Sequence, residues 1–179
     1  MSNGTKVKKR DGRIEPLDLE KMHLMVEEAC QGLAGVSASQ VEMKSGIQFY
    51  DGITTAEIQE ILIKAASDLI DLDHPNYQFV AARLLLFSLR KSLYGKMREM
   101  PHLENHVNDC VGKQVYDPDI YTKYSKEEIE KANSFIDHNR DFLFTYAGLR
   151  QVVDKYLVQD RSAGGVYETP QFMYIIIAL

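Results

Sequence analysis

Apolar residues recur at helical spacing through most of the chain, interrupted by short polar turns. Leu19, Met22, Val26, Ala29, Cys30 and Leu33 share one face of a helix over about residues 19–33, with Gly35 as its stop. Ser37 or Ser39 caps a shorter helix carrying Val41 and Ile47. After an Asp51-Gly52 turn, Thr54-Thr55-Ala56-Glu57 is a capping box, and Ile53 with Ile58 has the spacing of a hydrophobic staple. The helix it opens presents Ile58, Ile61, Leu62, Ala65, Leu69 and Ile70. Asp73-His74-Pro75 breaks it, and Pro75 is placed to open the next. That helix, about residues 76–94, is apolar nearly all round (Val80, Ala81, Leu84, Leu85, Leu86, Phe87, Leu89), the mark of a central bundle helix. It closes on Arg90, Lys91 and Gly95, cations and glycine where a helix C-terminus favours both.

Ahead of these helices, residues 7–21 read as two short strands joined by Asp11-Gly12, then a helix capped by Asp18. Asp-Gly between strands predicts a type I′ turn, with positive φ at both central positions. A first unit of hairpin plus four helices therefore spans residues 5–95, and a second spans 96–179, entered through a linker at residues 96–101. In the second, residues 102–111 form a short helix ending at Gly112, and Tyr116-Asp117-Pro118 is a turn. Ser125-Lys126-Glu127-Glu128 is another capping box, opening a helix with Ile129, Ala132, Phe135 and Ile136. Asp137-His138-Asn139-Arg140-Asp141 reads as an exposed polar corner before a helix over about residues 142–155. A hairpin of Tyr156-Leu157-Val158 with Val166-Tyr167-Glu168 turns around Ala163-Gly164-Gly165, and Thr169-Pro170 caps a final helix. The fold class is mostly α with short β-hairpins.

Composition narrows the function. A net charge of −5 argues against general nucleic-acid binding, which calls for a basic domain. Cys30 and Cys110 form no disulfide framework, so a reducing cytoplasm is the default. No apolar run approaches the roughly 18 residues of a membrane span. The apolar run from Met173 to Leu179 simply stops, which reads as the front piece of a longer protein cut inside a buried helix.

Against this acidic background the basic residues near element ends stand out. Lys9 and Arg10 lie on the hairpin, Lys21 at a helix start, Thr55 beside a capped helix start and Lys91 at a helix end. Cations beside free helix N–H groups suit a polyphosphate, with Glu15 left to accept from a base amino group. The plainer reading is a solvated charged face. Neither G-x-x-x-x-G-K-[ST] nor G-x-G-x-x-G occurs, so any nucleotide is held by another device. His102, His106 and Cys110 are spaced four and four, a possible metal face but more economically a polar stripe. Tyr77, Phe79, Phe87 and Tyr94 read as core aromatics, with Phe87 one turn from Lys91 and able to flank a base.

Val7-x-Lys9-Arg10-Asp11-Gly12 with Glu15, Asp18 and Lys21 resembles the signature of the ATP-cone, the regulatory nucleotide module of ribonucleotide reductases. Asp51-Gly52-Ile53-x-Thr55-x-x-Ile58, Tyr77-Gln78-x-x-Ala81-Ala82-Arg83-Leu84 and Arg90-Lys91-x-x-Tyr94-Gly95 are similar to its later segments. Tyr156-Leu157 and Tyr167-Glu168-Thr169-Pro170-Gln171-Phe172-Met173-Tyr174 are similar to the start of the catalytic region in the large subunit of the class I, aerobic enzymes. The resemblance implies a cone followed by a helical lead-in to a truncated catalytic barrel. It implies ATP or dATP as allosteric effector with Mg, no cofactor for chemistry in this stretch, a radical-generating small (beta) subunit as partner, and a homodimer of the full-length large subunit. The parent would reduce ribonucleoside diphosphates for DNA synthesis, with catalytic cysteines downstream of Leu179. The carried-over site is Lys9, Arg10, Glu15, Pro16, Leu17, Asp18, Leu19, Glu20, Lys21, Thr55 and Lys91. Lys9, Lys21 and Lys91 would hold phosphates, Thr55 would anchor them, and Glu15 with Asp18 would read base or ribose. Gln59 and Ser88 stand where some relatives have histidine. A free-standing nucleotide sensor is the rival reading. A zinc-ribbon repressor of the same family would need a Cys-x-x-Cys pair ahead of the cone.

Overall fold

In the computed structural model, which describes residues 5–46, 49–160 and 164–179, the chain is mostly helical with short strands. Ile47 and Ala163, assigned above to a helix and a turn, lie outside the described residues. Two compact units form: one comprises the chain to Ser88 with Phe144–Leu149, the other Leu89–Leu143 with Arg150–Leu179.

In the first unit, β1 (Lys6–Lys8) pairs antiparallel with β2 (Ile14–Pro16), Val7 opposite Glu15. The turn between them is not type I′. Lys9 N donates to Arg13 O (2.8 Å) and Gly12 N to Lys9 O (3.0 Å), and only Gly12 has positive φ (+86°) while Asp11 does not. This is a three-residue loop ending in a left-handed glycine, the next most common hairpin geometry. Asp11 favours it by accepting from Arg13 N at 3.1 Å, so its short side chain helps close the loop.

α1 (Leu19–Cys30) starts at the Asp18 cap, whose carboxylate accepts from Lys21 N at 2.9 Å. It ends three residues before the predicted Leu33, where Gly32 takes a φ of +74°, and Arg83 binds the carbonyls of Ala29 (3.1 Å) and Gln31 (2.7 Å) there. α2 (Ala38–Ser45) follows, and β3 (Ile53–Thr54) then pairs parallel with β1, giving the strand order β2-β1-β3. The parallel pairing needs a crossover, and α1 and α2 supply it. α3 (Thr55–Ser67) buries Ile58, Leu62, Ile63, Ala65 and Ala66, and stops short of the predicted Ile70. α4 (Tyr77–Tyr94) is central as its pattern predicts: Tyr77, Val80, Ala81, Leu84, Leu86 and Phe87 are each at most 2% exposed. Phe87 is core, which removes it as a surface for a base.

In the second unit, α5 (Leu103–Gly112), α6 (Ile120–Lys123) and α7 (Lys126–Asn133) surround Leu103, Val107, Cys110, Tyr116, Ile129, Ala132 and Phe172. α6 was not predicted; at four residues it is below what periodicity detects. The expected polar corner is instead a 3₁₀ turn, His138–Leu143, with Asp141 1% exposed against Arg90 at 3.2 Å. α8 (Tyr146–Lys155) therefore starts later than residue 142. β4 (Gln159–Asp160) and β5 (Gly165–Val166) form the hairpin, shifted inward from the predicted strands, and α9 (Pro170–Ala178) closes the chain.

Candidate functional site

The pleat decides which cations face inward. Val7 is buried, so Lys9, two residues on, shares its face, and Glu15 opposite Val7 shares it too. Both are half-buried, whereas Lys6 and Lys8 alternate to the exposed face. Lys9 Nζ lies 3.2 Å from Glu15 Oε2, and Arg13 Nη1 lies 3.1 Å from Glu15 Oε1. Glu15 is thus already engaged by two cations. Asp11 takes Arg13 on the other side, at 2.7 Å from both Nε and Nη2, and the Arg13 N–H holds the Asp11 carboxyl below its usual range.

Arg10 leaves the turn toward α3, and its Nη2 donates to Gln59 Oε1 at 3.0 Å. Gln59 is 5% exposed. Its oxygen also accepts from Ser88 Oγ at 3.2 Å, on α4, and its amide nitrogen lies 3.9 Å from Met25 Sδ, on α1. The oxygen assignment follows from chemistry: a guanidinium only donates, so the amide acceptor must face it. Partial burial holds the Arg10 pKa below its ordinary value. The turn, α1, α3 and α4 therefore meet at one side chain. The two positions singled out in the sequence, Gln59 and Ser88, touch each other. Met25 was missed, though its place four residues after Lys21 puts both on one face of α1.

α3 begins at Thr54, which follows directly on the β1 pairing of Lys8 with Thr54. Thr54 Oγ1 accepts from Glu57 N (3.1 Å), and Glu57 Oε2 accepts from Thr54 N (2.8 Å). Tyr50 donates to the same carboxylate at 2.8 Å, and these bonds, Thr54 foremost, lower the Glu57 pKa. Thr55 is the first residue inside this capped helix and half-buried. Thr54→Ala should lower stability by about 1 kcal/mol in urea unfolding, because the capping box loses its side-chain acceptor. Of the remaining candidates, Pro16 ends β2, and Leu17 is half-buried with its N–H on Thr5 O at 2.8 Å. Leu19, Glu20 and Lys21 lie exposed in the first turn of α1. Lys91 is half-buried in the last turn of α4, in the part of that helix belonging to the second unit.

The histidine–cysteine series of α5 does not converge. His102 caps the helix and turns its Nε2 to Glu130 at 3.0 Å. His106, 2% exposed, stacks on Phe172 with ring centroids 4.1 Å apart, and Cys110 is buried with it. Among the described residues no group of three or more His, Cys, Asp or Glu is arranged to hold a metal ion. No helix of the described residues is long and apolar enough to cross a membrane.

Residues 5–92, which contain the hairpin, the Gln59 contacts and the capped start of α3, match the family model described as the ATP cone domain. That stretch is similar to the ATP cone. Over 178 residues, 99% of its length, the chain is 48% identical to ribonucleoside-diphosphate reductase 1 subunit alpha of Escherichia coli (strain K12), covering 23% of that protein. It is 46% identical over 178 residues to the ribonucleoside-diphosphate reductase subunit alpha of Haemophilus influenzae, again 99% of this chain and 23% of the relative. To that of Enterobacteria phage T4 it is 41% identical over 173 residues, 96% of this chain and 22% of the relative. The chain is thus similar, over nearly its whole length, to the N-terminal part of ribonucleoside-diphosphate reductase alpha subunits, and it spans less than a quarter of the length of the relatives it matches.

Proposed function

We propose that the first unit binds ATP or dATP as an allosteric effector of a ribonucleoside-diphosphate reductase large subunit. The observation that carries it is the meeting of Arg10, Met25, Gln59 and Ser88 beside the start of α3, which gathers cation-bearing segments distant in sequence. The residues present fit a triphosphate: Lys9 is half-buried on the hairpin, Arg10 beside it reaches Gln59, and Lys21 stands one turn before Met25. Thr55 opens α3, whose N-terminus favours anions. Lys91, three residues beyond Ser88 on α4, is assigned to the phosphates as well. Glu15 and Asp18 are assigned to base or ribose, with residues 16–20 lining that end. Magnesium would come with the phosphates, held chiefly by their oxygens.

The units are read as a cone over residues 5–95 and the helical start of a catalytic barrel over residues 96–179. The parent protein would reduce ribonucleoside diphosphates in the cytoplasm, as a homodimer working with a radical-generating beta subunit. This stretch would be inactive alone, with no nucleic-acid or membrane partner. A stand-alone sensor is the weaker reading, since the similarity to reductase subunits runs through the second unit too.

Calorimetric titration of the chain with ATP and dATP tests the site. Lys9→Ala and Lys91→Ala should each weaken ATP binding by about 1–3 kcal/mol, the scale of a lost charge-assisted hydrogen bond. Unchanged affinity in both variants would remove the site.

A further inference from the structure

We infer that Glu15 is a competing anion built into this site, which holds Lys9 and Arg13 until a polyphosphate takes Lys9 from it. The inference rests on the nucleotide reading above and adds to it an exchange of partners.

Glu15 presents its two oxygens to two different cations, Oε2 to Lys9 at 3.2 Å and Oε1 to Arg13 at 3.1 Å. A phosphate oxygen can take the Lys9 contact in place of Glu15 Oε2, so carboxylate and phosphate are alternatives for that one ammonium. The backbone enforces the pairing. Val7 opposite Glu15 fixes the register, and the pleat puts Lys9 on the face of Glu15. Lys8 cannot substitute, because it alternates to the exposed face.

The carboxylate is a weak competitor. The Lys9 and Glu15 side chains are 26% and 40% exposed, and pairs so open to solvent are screened. A triphosphate carries more charge and can hold several cations at once, so it wins the exchange. Once released, Glu15 has a free acceptor to offer a base amino group, the role assigned to it above. One side chain then links the phosphate end to the base end: the arrival of the phosphates removes one cation from Glu15 and leaves that oxygen to the base.

The probe is inorganic tripolyphosphate, which has phosphates and no base, titrated calorimetrically into the chain at low ionic strength. Glu15→Gln should bind it about two- to five-fold more tightly than the unmodified chain, the range set by an exposed ion pair. In a Lys9→Ala background the same substitution should give no gain, since Glu15 acts through Lys9. Glu20→Gln, which removes one negative charge from the exposed first turn of α1, should show a smaller gain that persists with Lys9→Ala. Equal or weaker binding by Glu15→Gln overturns the inference, as does an equal gain in the Lys9→Ala background or no measurable tripolyphosphate binding by either protein. Loss of ATP binding by the unmodified chain would instead overturn the nucleotide reading itself.

Discussion

Asp141→Ala is expected to destabilise the second unit by about 3–5 kcal/mol, the largest effect of any single substitution considered for this protein. Arg90 is 2% exposed and Asp141 1%. Arg90 Nη2 donates to Asp141 Oδ2 at 3.2 Å and to His138 O at 2.5 Å, with the guanidinium 5.0 Å from the Phe142 ring. Asp141 Oδ1 accepts from Gln171 at 3.2 Å. Desolvation dominates both partners: it lowers the Arg90 pKa and raises that of Asp141, against the attraction between them. The pair therefore adds little net stability, yet removing one member leaves the other charged and uncompensated in the interior. Replacing both, as Arg90→Met with Asp141→Leu, should recover most of the loss, with a remainder for the stranded His138 carbonyl and Gln171 amide. Urea unfolding of the three variants checks this. A double variant as unstable as Asp141→Ala would show that the network matters for more than charge balance.

Below neutral pH, His106 is expected to cost the second unit about 2 kcal/mol by pH 5 and about 3 kcal/mol by pH 4. Burial lowers its pKa from 6.5 to about 4. The folded unit accommodates the neutral ring and the unfolded chain the protonated one. The contribution is complete above about pH 6.5 and is lost as pH falls from there toward 4. The hydrogen bonds fix the tautomer. Tyr116 donates to Glu168, so its oxygen accepts from His106 Nε2 at 3.1 Å, which leaves Nδ1 to accept from Tyr94 at 3.4 Å. Neighbours titrate in the same range. His138 is also lowered to about 4, while Asp141 and Glu168 are raised by burial and relieve strain when protonated. The measurement is therefore a difference: the stability of the unmodified chain minus that of His106→Gln, followed from pH 8 to pH 4. A flat difference would show that His106 takes up its proton at the same pH in the folded unit as in the unfolded chain.

Local order was legible where a few adjacent residues decide it. Asp18, Thr54 and Ser125 cap their helices because a short oxygen-bearing side chain reaches N–H groups two or three residues on, information contained in four letters. The centrality of α4 was legible because apolar residues on every side leave a helix nowhere else to go. Where the reading of the polar corner failed, a distant partner had intervened. Asp137-His138-Asn139-Arg140-Asp141 looks solvated, but Arg90, 51 positions before Asp141, draws that carboxylate inside. The end of α1 was misplaced for a local reason: Gly32, at φ +74°, turns the chain out of the helix before Leu33.

The same division runs through the candidate site. The cationic letters, the Asp-Gly turn and the capped start of α3 were all visible in one dimension, as was the family signature they compose. The contact of Arg10 with Gln59 was not, because it depends on a parallel pairing of β1 with β3 across two intervening helices. Nor was the engagement of Glu15 by Lys9, which only strand register creates. By itself the sequence determined most of the helical segments, where most of them start and which residue types could meet a phosphate. Tertiary structure alone decided which charges face inward and which are already paired, since those depend on the register and packing of segments that share no neighbourhood along the chain.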